Sequence, residues 1–154
     1  MAIVNLFTAA YEYDDSPEGY HSAEAAIRAA TGGRAITVRA YEIGPGQSMC
    51  PYHYEYEEEW LLLLSGALTL RRPSGETALV AGDLVCFPPG PDGAHKVTNP
   101  GEGAARVIMF SSAREPAVAV YPDSGKIGVW TGNDADGLMV RREDGQVGYW
   151  EGEG

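Results

Sequence analysis

The chain has 154 residues, 44% of them apolar, with 20 glycines, 10 prolines and a net charge of −11. That length suits one domain with a full core, and the Gly/Pro content suits many strands and turns, which excludes a disordered or fibrous chain. The acidic balance repels phosphate backbones and anionic membrane surfaces, so nucleic acid and lipid headgroups are excluded as expected partners.

The first residues, MAIVNLFTAAYEYDD, show no basic segment followed by an apolar stretch and do not read as a signal peptide. Two cysteines, Cys50 and Cys86, make no disulfide scaffold, and no CxxC or Cys-His cluster points to structural zinc. A cytoplasmic protein with free thiols is expected, its cysteines packed as small hydrophobes. Residues 1–20 read as an irregular arm anchored by Phe7, Tyr11 and Tyr13. In HSAEAAIRAATGG, Ser22 is a good N-cap, Ala23, Ala26, Ile27 and Ala30 share a helical face, and Gly32–Gly33 stop it. The spacing predicts a short helix that covers the domain, with His21 on the surface.

From Arg34 onward the pattern is strand and turn. AITVRAYEI ends at GPGQ, EEWLLLLSG returns as ALTLRR, PSGE leads to TALV, and AGD to LVCF. HKVTN, ARVIMFSS, VAVY and KIGVW follow, separated by Gly, Pro, Asn and Asp. Short strands so spaced predict an all-β antiparallel sandwich or barrel. One domain is expected: an arm and helix over 1–34 packed on a barrel over 35–121, with an extension over 122–154 completing the same domain. Aromatic Tyr149 and Trp150 are expected to tie the tail to the body, a subunit docking site being the alternative.

The stretch CPYHYEYEEEWLLLLSG carries the chemistry. Side chains alternate along a strand, so His53, Glu55, Glu57 and Glu59 point one way and Tyr54, Tyr56, Glu58 and Trp60 the other. After residue 59 both faces turn apolar through Leu61–Leu64, as in a strand buried on both sides. Burying Glu59 beside His53 is costly unless a cation meets the charge, and a divalent metal supplies one. GDLVCFPPGPDGAHKVTN brings a second histidine, His95, and Asn99 after a strand and a Pro-Gly bend. Asn99 is expected to hold a turn through backbone hydrogen bonds.

Together these segments resemble the two motifs of the cupin superfamily. His53, Glu59 and Gly66 match the first, and Gly82, Pro88, His95 and Asn99 the second. Glu55 stands where the family has its second histidine, Gly46 lies one residue further from His53, and the loop from Gly90 to His95 is two residues longer. NLF, VCFPPGPDGAHKVTN, VYPDSGKIGVW and YWEGE extend the likeness to a group of uncharacterised bacterial single-domain cupins. The resemblance implies a double-stranded β-helix (jelly-roll) barrel with metal ligands at His53, Glu59 and His95.

Glu55 is the candidate fourth ligand, placed by family position and strand parity. With it, two imidazoles and two carboxylates balance a divalent ion; without it, two His and one carboxylate leave open positions. Either N/O set suits Zn, Mn, Fe or Ni and argues against Cu(I). Glu57 is the weak candidate for a catalytic base. Tyr41, Tyr52 and Tyr54 are candidates to line a pocket.

The expected function is metal-dependent isomerase- or oxygenase-type chemistry on a small organic molecule. The alternatives are a non-catalytic metal- or metabolite-binding cupin, and a metal-free barrel with an assembly role. A sugar-phosphate substrate needs cations, and neither Arg39 nor Arg106 has a clear inward parity. The doubly apolar strand at 60–64 needs an outer cover, which predicts a homodimer or the N-terminal arm in that place.

Overall fold

The computed structural model describes residues 2–153. In chain order its strands are β1 (Glu12–Tyr13), β2 (Ser22–Ala25), β3 (Ile36–Ile43), β4 (Tyr54–Glu55) and β5 (Glu59–Ser65). There follow β6 (Ala67–Arg72), β7 (Gly75–Val80), β8 (Leu84–Phe87), β9 (Lys96–Thr98) and β10 (Ala105–Ser112). The last three are β11 (Ala117–Tyr121), β12 (Lys126–Trp130) and β13 (Leu138–Arg141). One helix, α1 (Ile27–Thr31), and a 3₁₀ turn at Pro91–Gly93 complete the elements.

One wall of the barrel is a six-stranded sheet in the order β1-β2-β3-β10-β5-β8. The opposite side is built from β7-β6-β9 and from β13-β12-β11-β4. Two isolated bridges, Ser48 with Thr98 and His53 with His95, stitch the chain before β4 to the neighbourhood of β9. All pairings are antiparallel, and the fold is the all-β jelly-roll barrel that the strand spacing and the cupin resemblance imply.

The core follows from strand parity. Leu61 and Leu63 of β5, Val107 of β10, Leu68 and Leu70 of β6 and Val97 of β9 are fully buried and pack with Ile43, Phe87 and Met109. Each such side chain stabilises the fold by about 1.5–3 kcal/mol through removal from water. The chain crosses from β5 to β6, which lie in different sheets, at a turn on Gly66, whose φ is +82° and whose backbone passes so near β10 that a Cβ would lie 2.8 Å from the Ala105 Cα. Glycine is required there for both reasons. The register of β10 on β5 shifts between Arg106 and Val107, a local irregularity beside that turn.

Three expectations change on contact with the structure. Ser22 to Ala25 form strand β2 on β3, and the helix begins only at Ile27; Gly32, in the left-handed region at φ 72°, ends it. The helical spacing of the alanines lost to the open edge of β3, which offered backbone partners and a place to bury Ala23 and Ala25. Tyr149 and Trp150 do not tie the tail to the body, being 85% and 77% exposed; what holds it is the pairing of the exposed strand β13 with β12. Cys86 is exposed on the outer face opposite Trp60, not packed away.

The arm covers β3 and β10 from outside. Leu6, Ala9 and Tyr11 pack against Ala25, Ile27 and Ala40, and Arg106 bonds both Glu42 and the Phe7 carbonyl. Asn99, fully buried, fulfils its expected part: its amide donates to the carbonyls of Ile43 and Gly103, and its oxygen accepts from the Gly101 N–H. Asn99→Ala strands the buried Ile43 carbonyl and frees the Gly101–Gly103 turn, and urea titration is expected to show a loss of about 2 kcal/mol.

Candidate metal centre

Three side chains from three separate segments meet at one end of the barrel. His53 lies just before β4, Glu59 opens β5, and His95 lies between the 3₁₀ turn and β9. The histidines are held together by main chain, since His53 N–H donates to the His95 carbonyl at 3.1 Å and His95 N–H to that of His53 at 2.8 Å. Each ring is oriented by the same device. His53 Nδ1 lies 3.0 Å from the Pro51 carbonyl and His95 Nδ1 lies 2.9 Å from the Gly93 carbonyl, so each Nδ1–H donates to the carbonyl two residues before it. That fixes the tautomer with Nε2 as the free acceptor.

Both Nε2 atoms lie 3.9 Å from Glu59 Oε2, and the three donors lie within 4.8 Å of one another. Glu59 Oε2 and His95 Nε2 are buried with no hydrogen-bond partner. Donors around a tetrahedral ion stand about 3.4 Å apart, from ligand distances near 2.1 Å, so a small inward movement closes the set. The three side chains can therefore hold a divalent ion. Phe87 stacks on the His95 ring at 3.6 Å and Tyr121 on the His53 ring at 5.8 Å.

Burial governs the charges. It drives the His95 imidazole down to about 3, helped by the nearby His53 ring, and lowers His53 as well. Burial pushes the Glu59 carboxyl up to about 8, with the Glu55 charge adding to it. In the metal-free protein the contacts between Glu59 and the histidines are thus not ion pairs. Because folding holds the Glu59 proton above its ordinary 4.5, the stability this gives is lost as pH rises towards 8. Because folding keeps His95 neutral below its ordinary 6.5, stability is also lost as pH falls from 6.5 towards 3. Between 6.5 and 8 only the Glu59 effect remains. Chelated wild type is expected to melt lower at pH 8 than at pH 6.5, and Glu59→Gln to flatten that fall.

A cavity of about 430 Å³ opens above the centre. His53, Glu55, Glu57 and Glu59 all line it, as strand parity expects, together with Tyr41, Cys50, Met109 and Tyr121. Glu55 lies outside the three-residue set, and its carboxyl is held above the ordinary range by burial. Glu57, near the opening, accepts a hydrogen bond from the Ser112 hydroxyl. Tyr52 and Tyr54 instead pack with Ala94 and Val120 in a second small core.

Sequence reasoning missed Tyr121 and three arginines in the cavity lining. Arg39 faces inward from β3, while Arg106 faces outward to Glu42. Arg28 of α1 and Arg114 beyond β10 line the same space, so the helix is more than a cover. The inward apolar Tyr41 and Ile43, two and four residues after Arg39, carried the missed parity signal.

Residues 39–111 match the family described as Cupin domain. No curated protein matches the chain. Among solved structures, it is similar to a protein from Acidithiobacillus ferrooxidans ATCC 23270 whose name marks it provisionally as a sugar phosphate isomerase. The two share 24% identity over 92% of this chain and 91% of that one, with a TM-score of 0.80. It is also similar to a cupin named as a sugar phosphate isomerase from Silicibacter pomeroyi DSS-3, at 20% identity over 96% and 97% of the two chains, with a TM-score of 0.79. A polyketide cyclase from Streptomyces resistomycificus matches at 18% identity over 76% and 83%, with a TM-score of 0.61.

Proposed function

We propose, from the Cupin domain match over residues 39–111 and the trio of donors, that the barrel holds a divalent ion on His53, Glu59 and His95 and isomerises a small organic molecule in the cavity above. The observation that carries this reading is the pair of buried donor atoms without partners, Glu59 Oε2 and His95 Nε2, both facing the same point. Leaving such atoms unsatisfied costs about 1–3 kcal/mol each, which an ion would relieve. The N/O set suits Zn, Mn, Fe or Ni and leaves coordination positions open for a ligand.

An ion held there supplies Lewis acidity to a bound carbonyl or hydroxyl oxygen. The chain supplies the rest. Glu57, which accepts from Ser112 and lines the cavity, is the proposed base that takes a proton from the carbon beside that carbonyl and returns it to the neighbouring carbon. Tyr41 and Tyr121 line the walls, and burial keeps both phenols protonated by pushing them up to about 12, so they act as hydrogen-bond donors. Glu55 remains the candidate fourth ligand, able to complete the shell from the same wall. The isomerase names of two similar barrels are in keeping with this chemistry.

The test is a panel of aldoses, ketoses and their phosphates, incubated with metal-loaded and with chelated protein. Interconversion that needs the ion, and returns when it is restored, is the expected result. Protein that retains an ion but turns over no member of the panel would point to a binding module instead. Glu57→Gln is expected to lower kcat by about 100-fold or more, the usual worth of a positioned base.

A further inference from the structure

In a chain with twice as many acidic as basic residues, three of the eleven cationic side chains line one cavity: Arg28, Arg39 and Arg114. They come from α1, β3 and the segment after β10, elements far apart in sequence. Main chain brings these segments together, since Ala113 N–H donates to the Ala35 carbonyl and Ser112 pairs with Ile36. Arg39 lies two strands across the sheet from β5, with β10 between, about 10 Å at the usual interstrand spacing, and in register with Leu61, two residues along from Glu59. The cavity is thus lined both by members of the ion's set and by three guanidinium groups.

Acidic neighbours do not fully offset these arginines. Arg39 has Glu24 at 3.8 Å, but both side chains are about half exposed, which makes a weak pair. Glu57 is engaged by Ser112 and Glu59 belongs to the ion's set, which leaves Glu55 and Glu115 facing the three arginines. Seating a divalent ion tips the whole cavity positive.

We infer that Arg28, Arg39 and Arg114 form a phosphate subsite, so that the substrate is a phosphate monoester whose uncharged end reaches the metal centre. Guanidinium forks match the oxygens of a phosphate, and several of them around one group favour a dianion over a carboxylate. The metal end of this assignment rests on the proposed function; the arginine end does not.

The experiment titrates inorganic phosphate, and separately acetate, into metal-loaded and chelated protein, read by phosphorus NMR and calorimetry. Phosphate is expected to bind saturably and more tightly than acetate, and still measurably after chelation. The double variant Arg39→Gln/Arg114→Gln is expected to weaken it by about tenfold or more, the worth of one charged hydrogen bond, with metal content unchanged. Arg28→Gln, on the surface helix, repeats the test where the double variant folds poorly. Phosphate binding indifferent to these substitutions, or acetate binding as tightly as phosphate, overturns the assignment. Failure of the metal reading is distinct: wild type would then hold no ion while arginine-dependent phosphate binding persists.

Discussion

Replacing His95 with alanine is expected to strip the protein of its metal, from near one ion per chain to a small fraction of that. His95 supplies one of three donors that lie within 4.8 Å of one another, and no other histidine is near enough to substitute among the described residues. Loss of an outer-shell partner alone costs about 10–100-fold in metal affinity, so loss of a ligand is expected to cost at least about 100-fold. The variant also removes a fully buried ring stacked on Phe87, a cavity of the kind that costs about 3–5 kcal/mol for an aromatic side chain. His95→Gln keeps more of that volume and separates ligand loss from destabilisation. Elemental analysis of protein purified without chelator decides the matter. Equal, near-zero metal in wild type and variant would remove the ligand assignment.

Gly93→Ala is expected to be the most damaging single methyl in the chain. A Cβ there would sit 1.8 Å from the Pro88 carbonyl oxygen, a backbone atom that cannot swing aside. The turn at Pro91–Gly93 must then shift, and with it the Gly93 carbonyl that orients His95 Nδ1. Overpacking of this severity costs about 3 kcal/mol or more. For a chain this long that lowers the melting temperature by about 6–12 °C. Metal affinity is expected to fall with it. Gly103→Ala, where a Cβ would meet nothing within 4 Å, is the matched control and is expected to melt like wild type. If Gly93→Ala melts like the control, the close packing of that turn is not what holds His95.

Much of the barrel was legible because parity and turn chemistry agree along it. Ala67–Arg72, Leu84–Phe87, Ala105–Ser112 and Lys126–Trp130 are strands at the bounds read from sequence, the first two closed directly by Pro73 and Pro88. Ser22–Ala25 was misread because alanine-rich sequence favours helix locally, while the strand edge that captured it, Ala40–Ile43, lies well beyond the local window. The side-chain trio was legible because two histidines and a glutamate stand at motif spacing. The arginines were not, because Arg28 and Arg114 reach the cavity only through the folding of α1 and the chain after β10. The exposure of Tyr149 and Trp150 had no sequence signal, since a tail's docking depends on which surface is left open to it.

The reciprocal main-chain bonds between His53 and His95 also tie the fate of one ring to the other. Any local opening that breaks this pair moves both imidazoles together, so the centre would be lost as a unit instead of one ligand at a time. An ion seated between them would act as a clasp on that opening, and amide hydrogen exchange at the two residues would slow together when it binds.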